Sequence, residues 1–453
     1  MTRLAVLPLA ALAIRASASV LPQAIPRDAI EPGFLSFPVV HRRNHVGTLI
    51  RRDDDVSLIN ASDVSYLFQI QIGTPPQAVD VVLDTGSFEL WVDPTCSAAP
   101  TPGEVTACNS AGTYNPDSSS TVVDIGLANV LPYGKGKVEI AYVSDSIVVP
   151  GTSSQTLKNV VFGVGMASEE LPFGICGVGH GYNYNLIYRN LVDVLASNGV
   201  TNSKAFSVAL GSQSANNGGV VIFGGLDTKK FTGKLYQFAN LPPQVEGTAI
   251  GPWRYWIQMN SVGITKPGSR VSVAYPSSSI PVVLDTGSTL SYLPASIIQQ
   301  LASDFSATIQ SDGALQVPCS TASQAGSVDF TFGSLTIHVP YKEFIWQQDS
   351  QNCYVGALPI ASGGTALLGD SFLRSAYVVF DQTNQNIFLA QYANCGQNEQ
   401  TLPADAGAAA NFTGQCSSSS SSSAAARGTV RGDFWAVLAA VAFGLQVCML
   451  FLL

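Results

Sequence analysis

The sequence predicts an all-β chain made of two related halves. The heptad VVLDTGS occurs at Val81–Ser87 and again, letter for letter, at Val282–Ser288. Short runs of alternating apolar and polar residues, such as Tyr66–Ile72 and Lys137–Val143, are separated by turn sequences such as Gly73–Pro76, which is typical of strands joined by tight turns. Charged residues make up only 12% of the chain, and β-branched residues are abundant. We therefore expect two β-rich halves that each bring one heptad to a shared place.

The first 18 residues resemble a secretory signal. Arg3 precedes an apolar run over residues 4–14, and the small residues Ala16, Ser17 and Ala18 follow it. The alternative is a membrane span, but the run is too short to cross about 30 Å of hydrocarbon. We expect residues 1–18 to be removed as a signal peptide and set them aside before any reasoning about the fold.

The other end of the chain has the layout of a glycosylphosphatidylinositol (GPI) attachment signal. Small residues come first, then a polar spacer, and then an apolar tail from Phe434 to Leu453. The alternative is a plain transmembrane anchor. The argument against it is that no basic flank follows the tail to hold a membrane span in place. We expect attachment near Ser423, removal of residues 424–453, and a Ser- and Ala-rich stalk over residues 399–423.

Charge divides the remaining chain into a basic leader and an acidic body. Residues 19–52 carry five arginines and two acidic side chains, whereas residues 53–398 carry 26 acidic and 13 basic side chains. This predicts a pro-segment over residues 19–52 that inhibits the body intramolecularly and is held to it partly by electrostatic attraction. Protonation of the body's carboxylates at low pH would weaken that attraction. The pair Arg51–Arg52 is a candidate cleavage site. The alternative is a solvated basic tail, and so acidic a body argues against nucleic acid as a partner.

Eight cysteines indicate an oxidising compartment. We expect a disulfide between Cys96 and Cys108, which would close a small loop, and another between Cys319 and Cys353, which would close a larger one. Cys448 leaves with the tail. Three cysteines remain without an assigned partner, an odd number that leaves at least one free or paired elsewhere: Cys176, Cys395 and Cys416.

Two sequons, at Asn60 and Asn411, are candidate glycan acceptors, although such triplets also occur by accident. Two stretches have a helical pattern, Asn190–Ser197 and Ala295–Phe305, one in each half. We place the boundary between the halves near residue 235. The prediction is an N-terminal lobe over residues 53–235 and a C-terminal lobe over residues 236–398.

Each heptad is an apolar strand that presents an aspartate at its end. Glycine, at Gly86 and Gly287, lets the backbone turn directly after it. If the two strands meet, Asp84 and Asp285 come within hydrogen-bonding distance. Two carboxyl groups that close cannot both ionise, so they share a proton. One is then a base and the other an acid, which suits the activation of water against a peptide carbonyl.

These motifs resemble the pepsin family of aspartic endopeptidases, whose carboxyl pair is a standard example of such coupling. Residues Phe68–Val92 are similar to the family's first catalytic region, and Leu284–Pro294 to its second. Ala366–Asp381 and Ile175–Gly177 resemble the strands that cross behind the two catalytic loops. The resemblance runs from Tyr66 to Tyr392 and implies a bilobal pepsin-like fold with the active-site cleft between the lobes.

The resemblance also implies residue roles. Asp84 and Asp285 would hold the lytic water. Thr85 and Thr286 would bond across to the opposite loop. The remaining loop residues, Gly86, Ser87, Gly287 and Ser288, would support the carboxylates, with both serines bonding their outer oxygens.

A hairpin flap over the substrate is implied as well. Tyr133 and Gly134 match its tip, and Trp91 matches the tryptophan that supports the tyrosine. The alternatives are that Tyr133 is an ordinary hairpin residue and Trp91 a simple core residue.

Three residues depart from the family pattern. The flap carries Lys135 where the family often has Thr or Asp, and Phe173 and Cys176 alter the floor of the first half. Fungal surface proteases of the yapsin type share the layout and cleave at basic residues, but Lys135 would repel a basic side chain. We therefore expect a yapsin- or candidapepsin-like enzyme that favours apolar or aromatic residues flanking the cut.

No cofactor and no metal are implied. His180 and His338 have no metal-ligand spacing, and a serine hydrolase is excluded because the Gly-x-Ser-x-Gly motif is absent. The expected function is a secreted, GPI-anchored acid endopeptidase, monomeric, sensitive to pepstatin-type inhibitors, and acting on proteins and peptides at the outer face of the plasma membrane or in the wall. The alternative is a catalytically silent pepsin-like surface protein that binds peptide or glycan.

Overall fold

The computed structural model describes residues 33–43, 64–96, 101–134, 136–149, 155–169, 171–214, 219–246 and 249–417. Several predictions fall outside these residues: the signal peptide, the attachment signal, Asn60, Lys135, Ser423 and Cys448.

Strands dominate both halves. In the first half they are β1 (Leu35–Arg43), β2 (Val64–Ile72), β3 (Gln77–Asp84), β4 (Leu90–Val92), β5 (Val123–Pro132), β6 (Lys137–Val149), β7 (Gln155–Glu169), β8 (Ile175–Gly177), β9 (Ala205–Ala209), β10 (Gly219–Phe223), β11 (Gly225–Asp227) and β12 (Thr232–Lys234).

The second half continues with β13 (Tyr236–Ala239), β14 (Val245–Glu246), β15 (Ala249–Ile250), β16 (Trp256–Met259), β17 (Ser261–Thr265), β18 (Val273–Ala274), β19 (Ile280–Leu284), β20 (Ser291–Leu293), β21 (Thr308–Ile309), β22 (Leu315–Val317), β23 (Ser327–Phe332), β24 (Leu335–Pro340), β25 (Ile345–Gln347), β26 (Cys353–Val355), β27 (Ala357–Pro359), β28 (Leu367–Leu368), β29 (Ala376–Asp381), β30 (Asn386–Gln391), β31 (Glu399–Thr401) and β32 (Thr413–Gln415).

One large sheet joins the two halves. Its 13 strands run in the order β13-β30-β29-β9-β10-β1-β2-β3-β8-β4-β7-β6-β5, so β29 of the second half pairs with β9 of the first and continues the sheet into β30 and β13. The second half adds a five-stranded sheet, β16-β19-β28-β20-β27, and two four-stranded sheets. Residues of β3 alternate as expected for a half-buried strand, with Val79, Val81 and Leu83 in the core. The all-β prediction is confirmed.

Helices are short: α1 (Pro102–Ala111), α2 (Leu191–Ser197), α3 (Ala295–Phe305), α4 (Tyr341–Phe344) and α5 (Asp370–Leu373). The two predicted helices are present as α2 and α3, and Asn190 caps α2 rather than belonging to it. Helix α1 was not predicted. Its sequence signal was a capping box formed by Thr101 and Glu104, with Pro102 at the first position of the helix.

Strand β1 lies within the predicted pro-segment and is a central strand of the large sheet. It pairs with β10 over its first five residues and with β2 over its last four. Phe37 and Val39 are buried, and Ser36 Oγ donates a hydrogen bond to Glu399 Oε1 (2.6 Å). This part of the basic leader is therefore held by backbone pairing and apolar burial, in addition to any charge attraction.

The sequence predicted a stalk over residues 399–423. This prediction is wrong for residues 399–417, which are packed against the body of the protein. Strand β31 pairs with β11 and β32 pairs with β12, and the small side chains of Ala408 and Ala409 are buried beside Leu402. Small residues can pack closely against a sheet, which an average of composition does not reveal. We call residues 396–417 the C-terminal arm.

Three disulfides are present among the described residues. Cys96–Cys108 and Cys319–Cys353 are the predicted pairs, and Cys395–Cys416 ties the C-terminal arm to the second half. Cys176 is free and buried. The sequence left the pairing of these three cysteines open. In the structure, the C-terminal arm brings Cys416 to Cys395, and Cys176 is left as the free cysteine.

Candidate active site

Two aspartate-bearing loops follow equivalent strands. Strand β3 ends at Asp84, and β19 ends at Leu284, immediately before Asp285. Each strand has a short parallel neighbour, β8 beside β3 and β28 beside β19. The end of β8 approaches the loop after Asp84 so closely that position 177 requires glycine, because a Cβ atom there would overlap the backbone of Phe88. The crossing strands expected from the sequence are therefore β8 and β28.

The threonines after the aspartates exchange hydrogen bonds between the two loops. Thr85 Oγ1 donates to the carbonyl oxygen of Leu284 (2.8 Å), and Thr286 Oγ1 donates to that of Leu83 (2.6 Å). The backbone amide of each threonine donates to the other's hydroxyl, at 3.1 and 3.0 Å. All four groups are buried, so this exchange fixes the position of one loop against the other.

The carboxyl groups of Asp84 and Asp285 meet at the centre of these loops and hydrogen bond to each other. Each also rests on the glycine of the opposite loop. A Cβ atom on Gly86 would lie 2.5 Å from Asp285 Cγ, and one on Gly287 would lie 2.5 Å from Asp84 Oδ1. Any side chain at either glycine would push the two carboxyl groups apart.

The two carboxyl groups have unequal surroundings. Asp84 accepts hydrogen bonds from Ser87 Oγ (2.5 Å) and from the amide of Gly86 (2.8 Å), whereas Asp285 accepts one from the amide of Gly287 (2.9 Å). Burial raises the pKa of both carboxyl groups, and the charge of Asp84 raises that of Asp285 further. The donors around Asp84 favour its ionised form, so the shared proton resides on Asp285.

Ser288 is not placed as the sequence predicted. Its hydroxyl donates to the carbonyl oxygen of Leu290 (2.8 Å) instead of to the outer oxygen of Asp285. Only the first serine, Ser87, bonds its aspartate. The expectation of two symmetric serine contacts is therefore wrong, and the difference leaves Asp285 with fewer donors.

The β5–β6 hairpin carries the predicted flap residues. Tyr133 and Gly134 lie at its tip, where the amide of Tyr133 donates to the carbonyl oxygen of Gly136 (3.1 Å). Trp91 is fully buried, and its Nε1 donates to the Tyr133 hydroxyl (2.9 Å). The same hydroxyl hydrogen bonds to Ser87, and burial followed by the charge of Asp84 raises the pKa of Tyr133. A continuous chain of contacts thus links Trp91 through the flap tyrosine to Asp84.

Comparison with known proteins decides the family. The family model for eukaryotic aspartyl proteases matches residues 65–392. The chain belongs to this family. Among its relatives, a probable aspartic-type endopeptidase opsB of Aspergillus oryzae is 34% identical over 363 residues, covering 75% of this chain and 71% of the relative. Secreted aspartic protease 8 of Candida albicans is 34% identical over 340 residues, covering 74% and 77%.

A solved structure supports the fold. The aspartic proteinase from Irpex lacteus has a TM-score of 0.59 and 19% identity, covering 80% of this chain and 98% of that one. The bilobal pepsin-like architecture predicted from the sequence is therefore confirmed. The family match and the relatives identify the chain as an aspartic-type endopeptidase.

Sequence reasoning missed two charged residues near the carboxyl pair of this protease. Arg254, just before β16, is a positive charge that opposes the rise in pKa at both catalytic aspartates. Asp370 is buried behind them, where burial raises its own pKa well above the ordinary value and Arg374 opposes this. Asp370 lies within Ala366–Asp381, a segment already singled out by its resemblance to the family, whereas no sequence signal marked Arg254.

The lobes of the protease also meet beside the active site. Tyr255 of the second half donates to the carbonyl oxygen of Val178 in the first (2.7 Å), and Gln382 Nε2 donates to the Tyr255 hydroxyl (2.7 Å). His180 is buried at this seam, where burial lowers its pKa to about 4, and His338 lies 2.7 Å from Asp329 on the second half. The described residues contain no group of His, Cys, Asp and Glu arranged to hold a metal ion.

The floor of the first half contains two of the three departures from the family pattern. Phe173 is buried and packs against Leu67 and Ala111, while Cys176 occupies the middle of β8 with no exposed surface. Burial is the main cause of the raised pKa of the Cys176 thiol. We expect this cysteine to be an unreactive core residue, because the thiolate that would react is disfavoured.

Proposed function

We propose that this protease is a secreted, GPI-anchored acid endopeptidase that is made as a proenzyme. The observation that carries the proposal is the pair of buried carboxyl groups, in contact with each other and served by unequal numbers of hydrogen-bond donors. Such a pair offers an ionised base and a protonated acid at the same time.

In the proposed reaction, ionised Asp84 takes a proton from a water held between the carboxyl groups. The water oxygen attacks the carbonyl carbon of the peptide, and Asp285 gives its proton to the carbonyl oxygen. The tetrahedral intermediate collapses when Asp84 returns its proton to the amide nitrogen. The C–N bond then breaks, and Asp285 recovers a proton from the intermediate's hydroxyl group, so both residues return to their starting states.

An acidic working range follows from the proton that the pair shares. Hydrolysis needs one proton on the two carboxyl groups, so the rate falls when both are ionised or both are protonated. Burial places the loss of the shared proton above the ordinary range for an aspartate. We expect a bell-shaped dependence of kcat/KM on pH, with activity at acidic pH.

A proenzyme is supported by β1 and by the charge of the leader. Residues 35–43 occupy the centre of the large sheet, and the sequence of the leader is basic whereas that of the body is acidic. Acidification protonates the body's carboxylates and weakens the attraction between them. Cleavage after Arg51–Arg52 would then separate residues 19–52 from the mature enzyme.

Apolar or aromatic residues at the cut are supported by the wall of the cleft beneath the flap. Trp91, Leu131 and Ile175 form a buried apolar cluster against which Tyr133 and Leu171 pack. Substrate side chains next to this cluster gain most if they are apolar themselves.

Surface anchoring is supported by the two terminal signals and by a relative named as a secreted protease. The C-terminal arm is fixed to the body as far as Ser417, so the segment that would lead to the anchor starts from the folded body. The part of the chain that the structure describes has no helix long and apolar enough to cross a membrane.

Digestion of a denatured protein at pH 3 to 6, with and without pepstatin, followed by mapping of the cut sites, tests the proposal. Asp285→Asn should abolish cleavage while leaving the fold intact, because shape and volume barely change. Asp405→Asn is a matched control, since that side chain is exposed on the C-terminal arm. Cleavage by the Asp285→Asn protein at pH 4 would show that the pair is wrongly assigned. A processed wild-type protein that cuts nothing would instead favour the silent binding protein.

A further inference from the structure

A carboxyl group that the proposed reaction does not use lies beside the residue supporting the flap. Asp93 follows β4 and stands two residues after Trp91, so the two side chains point to the same face of the strand. Gly165 of β7 faces both of them. A Cβ atom there would lie 3.4 Å from Asp93 Oδ1 and 3.7 Å from Trp91 Cε3. The absence of a side chain at Gly165 leaves open space in front of the carboxyl group.

This space is a cavity of about 310 Å³, which we call the Asp93 pocket. Its other walls are the Cys96–Cys108 disulfide, residues Val164–Ser168 of β7, and Leu171–Pro172. These walls are mainly apolar, and Leu171 also packs against the apolar cluster beneath the flap. The pocket therefore adjoins the cleft, although none of its lining residues belongs to the two catalytic loops.

The carboxyl group of Asp93 has no hydrogen bond or ion pair with any described residue. Its backbone carbonyl accepts a bond from the amide of Tyr114 (2.9 Å), but its side chain has no such partner. Burial raises the pKa of Asp93 to about 7. The ionised form of this half-buried carboxyl group is disfavoured because no protein group balances its charge, and a cationic ligand would supply that missing partner.

We infer that the Asp93 pocket binds the side chain of a substrate lysine or arginine at a position removed from the bond that is cut. The apolar walls match the aliphatic stem of such a side chain, and the carboxyl group matches its cationic end. The inference rests on the proposed protease activity and refines its substrate class. It agrees with apolar residues at the cut itself, because the pocket is separate from the carboxyl pair.

Binding of a cation should strengthen as pH rises, because only the ionised carboxylate attracts it. The charged residues on the neighbouring elements do not line the pocket. Glu104 of α1 caps its own helix, Lys158 lies at the far end of β7, and Glu169 pairs with Lys137 (3.2 Å). Asp93 is therefore the titratable group whose ionisation governs the pocket, and preference for a cation should grow from about pH 4 towards 7.

A matched peptide series tests the inference. Each peptide carries apolar residues at the cut and either lysine or norleucine at one other position, since norleucine has the stem of lysine without its charge. The ratio of kcat/KM values for the two peptides is measured from pH 4.5 to 6.5. We expect one position at which lysine is preferred and the ratio rises with pH. Asp93→Asn should lower that ratio by about tenfold, the usual scale for a hydrogen bond to a charged group.

Two further variants separate charge from shape. Glu169→Gln removes a carboxylate at the end of β7, the strand that carries Gly165, without changing any residue that lines the pocket. This variant should therefore keep the preference for lysine. Gly165→Val should fill the space in front of Asp93 and weaken the discrimination at that position. The inference is overturned if no position prefers lysine, or if Asp93→Asn keeps the wild-type ratio. If wild-type protein cleaves neither lysine nor norleucine peptides, the protease proposal itself fails.

Discussion

Replacing Thr85 with valine should loosen the contact between the two catalytic loops. The change keeps the shape of the side chain but removes its hydroxyl group. That hydroxyl donates to the carbonyl oxygen of Leu284 (2.8 Å) and accepts from the amide of Thr286 (3.0 Å). Both backbone groups belong to the second half, and Thr85 is fully buried. The substitution therefore removes two bonds that cross between the halves.

The expected loss of stability follows from those two bonds. A buried backbone group left without its partner costs about 1–3 kcal/mol, so the free energy of unfolding should fall by about 2–6 kcal/mol. The carboxyl pair should also lose its fixed spacing, because each aspartate directly precedes one of the exchanging threonines. We expect kcat to fall more than KM rises, since the pair acts on the reacting bond and holds little of the remaining substrate.

Stability is best measured in proteins that also carry Asp285→Asn, which prevents self-digestion. Denaturant unfolding followed by tryptophan fluorescence compares Thr85→Val with Thr85→Ser, which retains the hydroxyl group. The serine variant should stay within about 1 kcal/mol of the parent, because it loses only a methyl group. Equal losses for valine and serine, or a valine variant with unchanged unfolding, would show that the exchange of hydrogen bonds does not hold the loops together.

Three further predictions concern the first half and the C-terminal arm. Ser87→Ala removes a donor to the Asp84 carboxylate and so raises its pKa; the acidic limb of the kcat/KM profile should move to higher pH, and an unmoved limb would contradict the contact. Trp91→Phe removes the bond to Tyr133, worth about 1 kcal/mol, and should lower kcat/KM several-fold in steady-state assays without shifting that limb. Cys416→Ser opens the disulfide of the arm and should cost about 2–4 kcal/mol in denaturant unfolding, with kcat/KM retained; lost activity would show that the arm shapes the cleft.

The parts of the site that could be predicted from the sequence are those marked by a pattern of residues that few other structures require. Two identical strands that each end in Asp-Thr-Gly-Ser predict a shared carboxyl pair, and the pairing of Asp84 with Asp285 needs no further information. Arg254 could not be predicted in this way. Its closeness to the pair depends on how the chain before β16 folds back beside the first half, a contact between residues far apart in sequence.

The C-terminal arm illustrates a different limit. Residues such as Ala408 and Gly414 have no strong preference for strand or core, and a run of them has the composition of a linker. In the structure, Gly414 lies so close to the carbonyl oxygen of Phe231 that a larger side chain would not fit. Small residues are needed there because two backbones approach closely. Only the partner strand reveals that need.

The unequal serines show why identical heptads need not make identical contacts. In the first half, the amide of Gly177 donates to the carbonyl oxygen of Glu89 (2.9 Å). In the second half, the corresponding amide, that of Gly369, donates instead to the hydroxyl of Ser291 (3.2 Å).

The carbonyl oxygen of Leu290 corresponds to that of Glu89, and it accepts the hydroxyl of Ser288. The difference arises six residues after each aspartate, where the first half has Leu90, with no hydroxyl, and the second has Ser291. Because Ser288 is thereby directed away from Asp285, that aspartate keeps fewer donors and holds the shared proton. The asymmetry that the proposed reaction requires is thus set outside the repeated heptads, by a residue that the duplication did not preserve.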